Sequence, residues 1–280
     1  MDYLKLVIVI PSEYQESLIA ELFEMDFEGF EQEDDRLLAY IPQNRFTDVS
    51  RQEIEQWLSS LRENCYIESE EVEETRNWNE EWEQTIKEQI IGKFYIRPTW
   101  LPGNPPDDKI LLEIDPKMAF GTGYHETTRL MLRVLPSYVK KGDHILDVGT
   151  GTGILSIAAI KVGAESALGF DIDEWSYSNA NENTLLNNVG DSIIIRQGSF
   201  DIVAPDARYD VILANVNRTA ILSMDKELVE HLDKNGTLIL SGLLVTEREM
   251  ILQNKNFRRL DLVHENKEGE WIILVLQNKS

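Results

Sequence analysis

Cysteine is almost absent from the chain. The single thiol of Cys65 excludes an intramolecular disulfide framework and any metal site built from several cysteines. Long apolar runs are missing as well, so no stretch reads as a bilayer-spanning helix. At the N-terminus, Met1-Asp2-Tyr3-Leu4-Lys5 places an acid where a signal peptide carries basic residues, and Pro11 cuts the apolar stretch short. These absences point to a soluble protein of the reducing cytoplasm. Basic residues are scarce: 27 Lys and Arg stand against 50 Asp and Glu, a net charge of −23. Acidity on that scale repels phosphate backbones and argues against a general nucleic-acid binder. The deficit is uneven, because residues 1–90 hold 24 acids and 7 bases while the remaining 190 hold 26 and 20. The excess acid is either a solubilising surface or a docking face for a basic macromolecule.

What is present is globular in composition, 42% apolar over 280 residues, and long enough for two domains. The first 75 residues read as a small α+β unit. Tyr3–Ile10 is β-rich, Glu13–Met25 has apolar residues at helical spacing, and two strands follow across the Asp34-Asp35 turn. Thr47–Asn64 is a helix capped by Thr47 or Asp48, and Cys65–Val72 closes the pattern as a strand. The order βαββαβ is the ferredoxin-like, split-βαβ plan. Residues 76–108 read as a connection, with an amphipathic helix over Arg76–Ile91 carrying Trp78 and Trp82, then the proline-rich Arg97–Asp108. From 109 to 280 strands and helices alternate, as a doubly wound parallel sheet requires, with a helix expected over Leu222–Leu232. A C-terminal hairpin, Arg258–His264 with Glu270–Leu276, would add antiparallel strands at its end.

Asp147-Val148-Gly149-Thr150-Gly151-Thr152-Gly153 lies between a strand and a helix. Glycines there let a ligand approach the backbone while the chain turns sharply. Asp171 closes the next strand 22 residues past Gly149, where a carboxylate can accept the ribose hydroxyls of an adenosine ligand. A dinucleotide fingerprint reads G-x-G-x-x-G, whereas here the third glycine comes one residue early and Asp147 stands two positions before the first. A negative charge pointing into the crevice is unfavourable beside a pyrophosphate. It is favourable beside the ammonium and sulfonium of S-adenosylmethionine. The methyl donor is therefore the expected cofactor, bound with help from Asp147 and Gly151. A nicotinamide-dependent oxidoreductase is the rival from another class.

Met118 to Thr128 form a second glycine-rich loop, read as a lid over the crevice. His125 within it reads as a hydrogen-bonded structural residue rather than a general base. Asn215, after the fourth strand, should border the site at the carboxyl end of the sheet. Its amide can accept from a substrate N–H, or the residue simply forms a turn.

Together these residues resemble the bacterial ribosomal protein L11 methyltransferases, class I enzymes dependent on S-adenosylmethionine, over essentially the whole chain. The resemblance rests on Trp78 and Trp82 with Arg97-Pro98-Thr99-Trp100, and on Asp115-Pro116, Phe120-Gly121-Thr122-Gly123, His125 and Thr127-Thr128. It continues through Asp147 to Gly153, Asp171-Ile172-Asp173, Ala214-Asn215 and Leu240-Ser241-Gly242-Leu243-Leu244. It implies a Rossmann-like methyltransferase domain behind a ferredoxin-like domain that grips the substrate. It also implies cofactor contacts at Thr128, Gly149, Asp171 and Asn215, with Phe120 over the methyl-transfer region. Methyl groups would pass to lysine or N-terminal amines of a basic ribosomal protein, leaving S-adenosylhomocysteine, with no metal and no membrane or nucleic-acid partner. Many members read Ile-Leu-Ala after the asparagine where this chain has Val216-Asn217-Arg218, so the resemblance says nothing of Asn217 and Arg218. The Asn-Pro-Pro-Tyr of glutamine and base methylases is absent at that place. A class I methyltransferase acting on another protein, and a non-catalytic module that binds a ribosomal protein, are the remaining alternatives.

Overall fold

Two stretches fold on cores of their own, Met1–Thr85 and Ile86–Ser280, in a computed structural model that describes residues 3–61, 64–73, 86–117 and 119–278. In the first, β1 (Tyr3–Val9) alternates strictly, burying Leu4, Leu6 and Ile8 on one face. It is followed by α1 (Ser12–Glu24), β2 (Gly29–Gln32), β3 (Arg36–Pro42), α2 (Asp48–Ser60) and β4 (Tyr66–Glu73). The sheet order is β2-β3-β1-β4 with every neighbouring pair antiparallel, so the two βαβ halves interleave. Leu18 and Leu22 of α1 and Ile54 and Leu58 of α2 meet Leu6, Ile8, Leu37, Ala39 and Ile41 of the sheet. Thr47 caps α2, its hydroxyl oxygen accepting from the Ser50 amide at 3.1 Å.

Of the helix expected over Arg76–Ile91, residues 76–85 with both tryptophans lie outside the described residues. The rest is not helical. Gln89–Ile91 (β5) and Phe94–Arg97 (β6) form a hairpin through Gly92-Lys93, and β6 runs parallel to Ile110–Glu113 (β7). These strands belong to the second unit, which therefore begins some twenty residues before the expected boundary at 109. The physical reason is local. Ile91, Phe94 and Ile96 are buried β-formers, and Gly92 takes the positive φ of +57° that a two-residue turn demands.

The remaining elements are α3 (Glu126–Tyr138), β8 (His144–Val148), α4 (Ile154–Val162), β9 (Ser166–Asp171), α5 (Glu174–Leu186), β10 (Ile193–Gln197) and β11 (Tyr209–Asn215). After them come α6 (Arg218–Ser223), α7 (Asp225–Glu230), β12 (Leu232–Leu244), α8 (Arg248–Leu252), β13 (Leu260–Glu268) and β14 (Trp271–Asn278). They build one seven-stranded sheet, β10-β9-β8-β11-β12-β14-β13, parallel from β10 to β12. The C-terminal hairpin enters it antiparallel, β14 pairing with both β12 and β13. Side chains alternate between two cores: Ile273 and Val275 of β14 face one, Ile272, Leu274 and Leu276 the other. This is the doubly wound, Rossmann-like fold expected of the larger domain. The helix expected over Leu222–Leu232 is two short ones that break at Met224.

One helix does unusual positioning. Asn179 and Asn183 of α5 and Asn187, its C-cap, stand four residues apart on a single buried face. Asn187 accepts from the Glu113 amide at 3.0 Å and donates to the Glu113 carbonyl at 2.6 Å. Asn183 accepts from the Asp115 amide at 3.0 Å and donates to the Thr152 carbonyl at 2.9 Å, while Asn179 donates to the Asp115 carbonyl at 2.8 Å. The chain leading to Phe120 is thus held as a partner strand would hold it, by amide side chains. Asn183→Ala strands several buried backbone groups at once. It should lower the unfolding free energy by about 1–3 kcal/mol, measured by urea denaturation with an unchanged slope.

Candidate active site

The order of β8 between β9 and β11 makes a switch point, where chain connections leave in opposite directions and a crevice opens beyond the strand ends. A cleft of about 610 Å³ lies there. Its walls include Val148 and Gly149 at the end of β8, Asp171 at the end of β9 and Asn215 at the end of β11. That volume suits a nucleoside-sized ligand.

The glycine loop is built from backbone. The Gly149 and Thr150 amides donate to the Phe170 carbonyl at 2.9 and 3.0 Å, fastening the loop to β9. Opposite, the second glycine loop docks on it. The Thr152 amide donates to the Phe120 carbonyl at 2.8 Å and the Thr152 hydroxyl to the Gly121 carbonyl at 2.7 Å. A Cβ on Gly151 would overlap the Phe120 carbonyl oxygen, and one on Gly149 would overlap the Val216 side chain. Both glycines also hold positive φ, +55° and +69°. No other residue fits at these two positions.

Asp171 stands at the rim with its carboxylate fixed, Oδ2 accepting from the Gly151 amide at 3.0 Å and Oδ1 from the Asp173 amide at 3.1 Å. Each oxygen keeps a lone pair for a ligand hydroxyl. Asn215 donates through Nδ2 to the Thr128 hydroxyl over a long 3.5 Å. Its Oδ1 is buried and has no hydrogen-bond partner, in a residue that lines the cleft. Phe120 lines the cleft and is half exposed. Its ring lies 5.3 Å from His125, whose ring meets Trp271 edge-on at 4.8 Å. His125 caps α3, Nδ1 accepting from the Thr127 amide at 3.3 Å. Thr128 is fully buried and reaches the cleft through Asn215, whereas Thr127 lines it directly.

Asp147 departs from expectation. Its carboxylate does not line the cleft but is sealed beneath the glycine loop. Oδ2 accepts from the Thr150 hydroxyl at 2.7 Å, the Ser156 hydroxyl at 2.7 Å and the Ser156 amide at 3.2 Å, while Oδ1 has no partner. An inward-facing residue one position from the strand end lies too deep to aim at solvent. Trp271, Val216 and Gly242 also line the cleft and carry no local signal for doing so. They arrive from β14, the turn after β11 and β12, and only the sheet order brings them there.

Comparison with known proteins agrees with this geometry. A family model described as ribosomal protein L11 methyltransferase (PrmA) matches residues 7–279. The chain is 37% identical over 265 residues to the ribosomal protein L11 methyltransferase of Porphyromonas gingivalis, covering 92% of this chain and 88% of that one. Against the protein of the same name from Oceanobacillus iheyensis it is 30% identical over 267 residues, covering 93% and 84%. A crystal structure of ribosomal protein L11 methylase from Lactobacillus delbrueckii subsp. bulgaricus superposes with a TM-score of 0.65 at 31% identity. It covers 70% of this chain and all of that one.

Burial pushes the Asp147 carboxyl above the ordinary aspartate range, and its bonds to Thr150 and Ser156 offset only part of the cost. The native state then binds this proton more tightly than the unfolded chain does. The stability it contributes is full below the unfolded pKa of about 3.9 and is lost as pH rises through the native value. Asp147→Asn removes that loss. The unfolding free energy of the variant should gain on the wild type as pH climbs from about 4 to about 7, read by urea titrations at each pH.

Proposed function

The chain belongs to the ribosomal protein L11 methyltransferase family, and from that footing we propose that it transfers methyl groups from S-adenosylmethionine to amino groups of ribosomal protein L11 in the cytoplasm. The observation that carries the reading is the buried, unpaired Asn215 Oδ1 in a cleft whose two glycine loops leave room for a ligand against the backbone. The donor set fits the cofactor. Asp171 offers carboxylate oxygens to ribose hydroxyls, Gly149 and Gly151 admit the ligand close to the main chain, and Phe120, Thr128 and Asn215 border the reacting end. Bound there, the cofactor supplies a methyl group already activated by its sulfonium.

The protein's remaining task is to align and desolvate an amine and let it lose a proton. An α-amine, pKa about 7.7–8.0, is partly neutral near neutral pH, while a lysine near 10.4 must be deprotonated. Burial beside a positive charge lowers an ammonium pKa and favours that loss. The Asn215 carbonyl accepts from the amine N–H and holds the nitrogen in line. No side chain is required as a general base in this reading, and solvent takes the proton. The aromatic row Phe120, His125 and Trp271 gives that end of the cleft a face suited to a cationic group. Asp147, sealed beneath the loop, makes no contact with the ligand in this reading.

We assign substrate docking to the first unit, read as a ferredoxin-like recognition domain. Support comes from the concentration of acid there and from its exposure. Glu31, Glu33, Asp34 and Asp35 all stand at the surface of β2 and the turn after it. Ribosomal proteins are basic, so the charges are complementary.

Labelled methyl should pass from S-adenosylmethionine into purified ribosomal protein L11. No labelled protein would favour a binding module, and calorimetric binding of NAD in place of S-adenosylmethionine would favour an oxidoreductase. Asn215→Ala should cut turnover by about tenfold to a hundredfold; full turnover with unchanged product would remove Asn215 from its role. Reversing the charges of Glu31, Glu33, Asp34 and Asp35 should raise KM for the ribosomal protein and leave the calorimetric affinity for the cofactor alone. Equal loss of both would count against the docking assignment.

A further inference from the structure

Arg218 opens α6 immediately after the cleft-lining turn Asn215-Val216-Asn217, and its guanidinium pairs with Glu247 at 3.0 Å. Glu247 comes from the turn that follows β12 and is well shielded, with its side chain 15% exposed. Its other oxygen accepts from the Leu244 amide at 2.9 Å, so the carboxylate is fixed before the arginine reaches it. A single side chain therefore ties the exit of β12 to the entrance of α6. Neither residue lines the cleft.

The turn between them is held from three directions. Asn215 sits opposite Ser241 in the β11–β12 ladder. Val216 is wedged, its side chain against Gly149 and its carbonyl against Gly242, and a Cβ on either glycine would collide with it. The third hold is the ion pair. Asn217 caps α6 by accepting from the Ala220 amide at 2.9 Å, but that bond joins the helix to its own start and fixes neither to the sheet. Only Arg218 links the start of this six-residue helix to β12 by a charged side-chain contact among the described residues.

With its arginine 43% exposed, the ion pair adds little to stability. A single guanidinium contact to a carboxylate already anchored by the Leu244 amide still sets a position, because only the arginine end is free to move. We propose that Arg218 and Glu247 are positioning residues for the acceptor amine. Through the turn they hold, they fix where Asn215 stands in the cleft wall. The inference rests on the methyl-transfer reading above and assigns this chain's own Arg218, outside the family resemblance, a part in it.

The test compares Arg218→Gln, Glu247→Gln and the double variant with the wild type, using S-adenosylmethionine and purified ribosomal protein L11. Each single variant should lose about tenfold in kcat, since small misplacements of reacting groups are costly. Calorimetric affinity for S-adenosylmethionine and Tm should stay at wild-type values. The double variant should be no worse than either single one, because the two act as one contact. Arg218→Lys, which keeps the charge but changes the reach to Glu247, should fall between. Unchanged kcat in the single variants, additive losses, or a parallel fall in cofactor affinity and Tm would overturn the proposal. Amide hydrogen exchange provides a readout independent of turnover. Residues 215–220 should exchange faster in both single variants while 145–148 do not, and no difference at 215–220 would overturn it. A wild-type protein that transfers no methyl to L11 defeats the functional reading instead, and the exchange result then decides the positioning claim alone.

Discussion

Thr152 holds the carbonyls of both Phe120 and Gly121, one with its amide and one with its hydroxyl. Two glycine-rich loops, distant in sequence, therefore meet main chain to main chain, and the cleft is the space that their contact leaves over. The approach tolerates no Cβ at Gly151, and a Cβ on Gly121 would come within 2.9 Å of the Thr152 hydroxyl. Several residues that line the cleft inherit their positions from this seam. Phe120 projects from one side of it, Asp171 is bonded to Gly151 on the other, and His125 follows as the cap of the next helix.

The seam is expensive to maintain, and the surrounding residues carry the cost. Asp147 is desolvated beneath it, with two hydroxyls and an amide on one oxygen and nothing on the other. The asparagine face of α5 restrains the approach to Phe120 and reaches the Thr152 carbonyl from behind. Hydrogen bonds made by side-chain amides are directional, whereas apolar contact is not. They fix the register of the chain where β7 gives way to the irregular segment before Phe120.

Much of this architecture is legible in the sequence because local signals and global order agree there. The strand, the glycine loop, the helix and the acid at Asp171 come at the spacing the fold requires, and Asn215 sits at the end of β11, one residue further along than the expected strand end. Legibility fails where the deciding contact is distant. The hairpin of β5 and β6 is masked by the tryptophan-rich pattern before it, although Gly92-Lys93 between two β-rich triplets was a usable sign. Trp271 gives no hint of a place in the cleft, because only the insertion of β14 beside β12 brings it near His125. Asp147 misleads in a different way. Its charge suggested a contact with the ligand, but a residue's distance from the strand end decides whether it lines a crevice or underlies it.

The position of β14 has a consequence for how the larger unit is made. Residues 271–278 lie inside the sheet, between β12 and β13, and carry side chains into both cores. During synthesis the parallel strands emerge first, and β12 stays an open edge until this late segment arrives. The nascent chain can finish its smaller unit early, but the larger one has to wait for nearly its whole length. Ribosome stalling or premature release before residue 271 would leave a long, apolar, unpaired strand exposed, a species destined for chaperones or proteolysis rather than for partial activity.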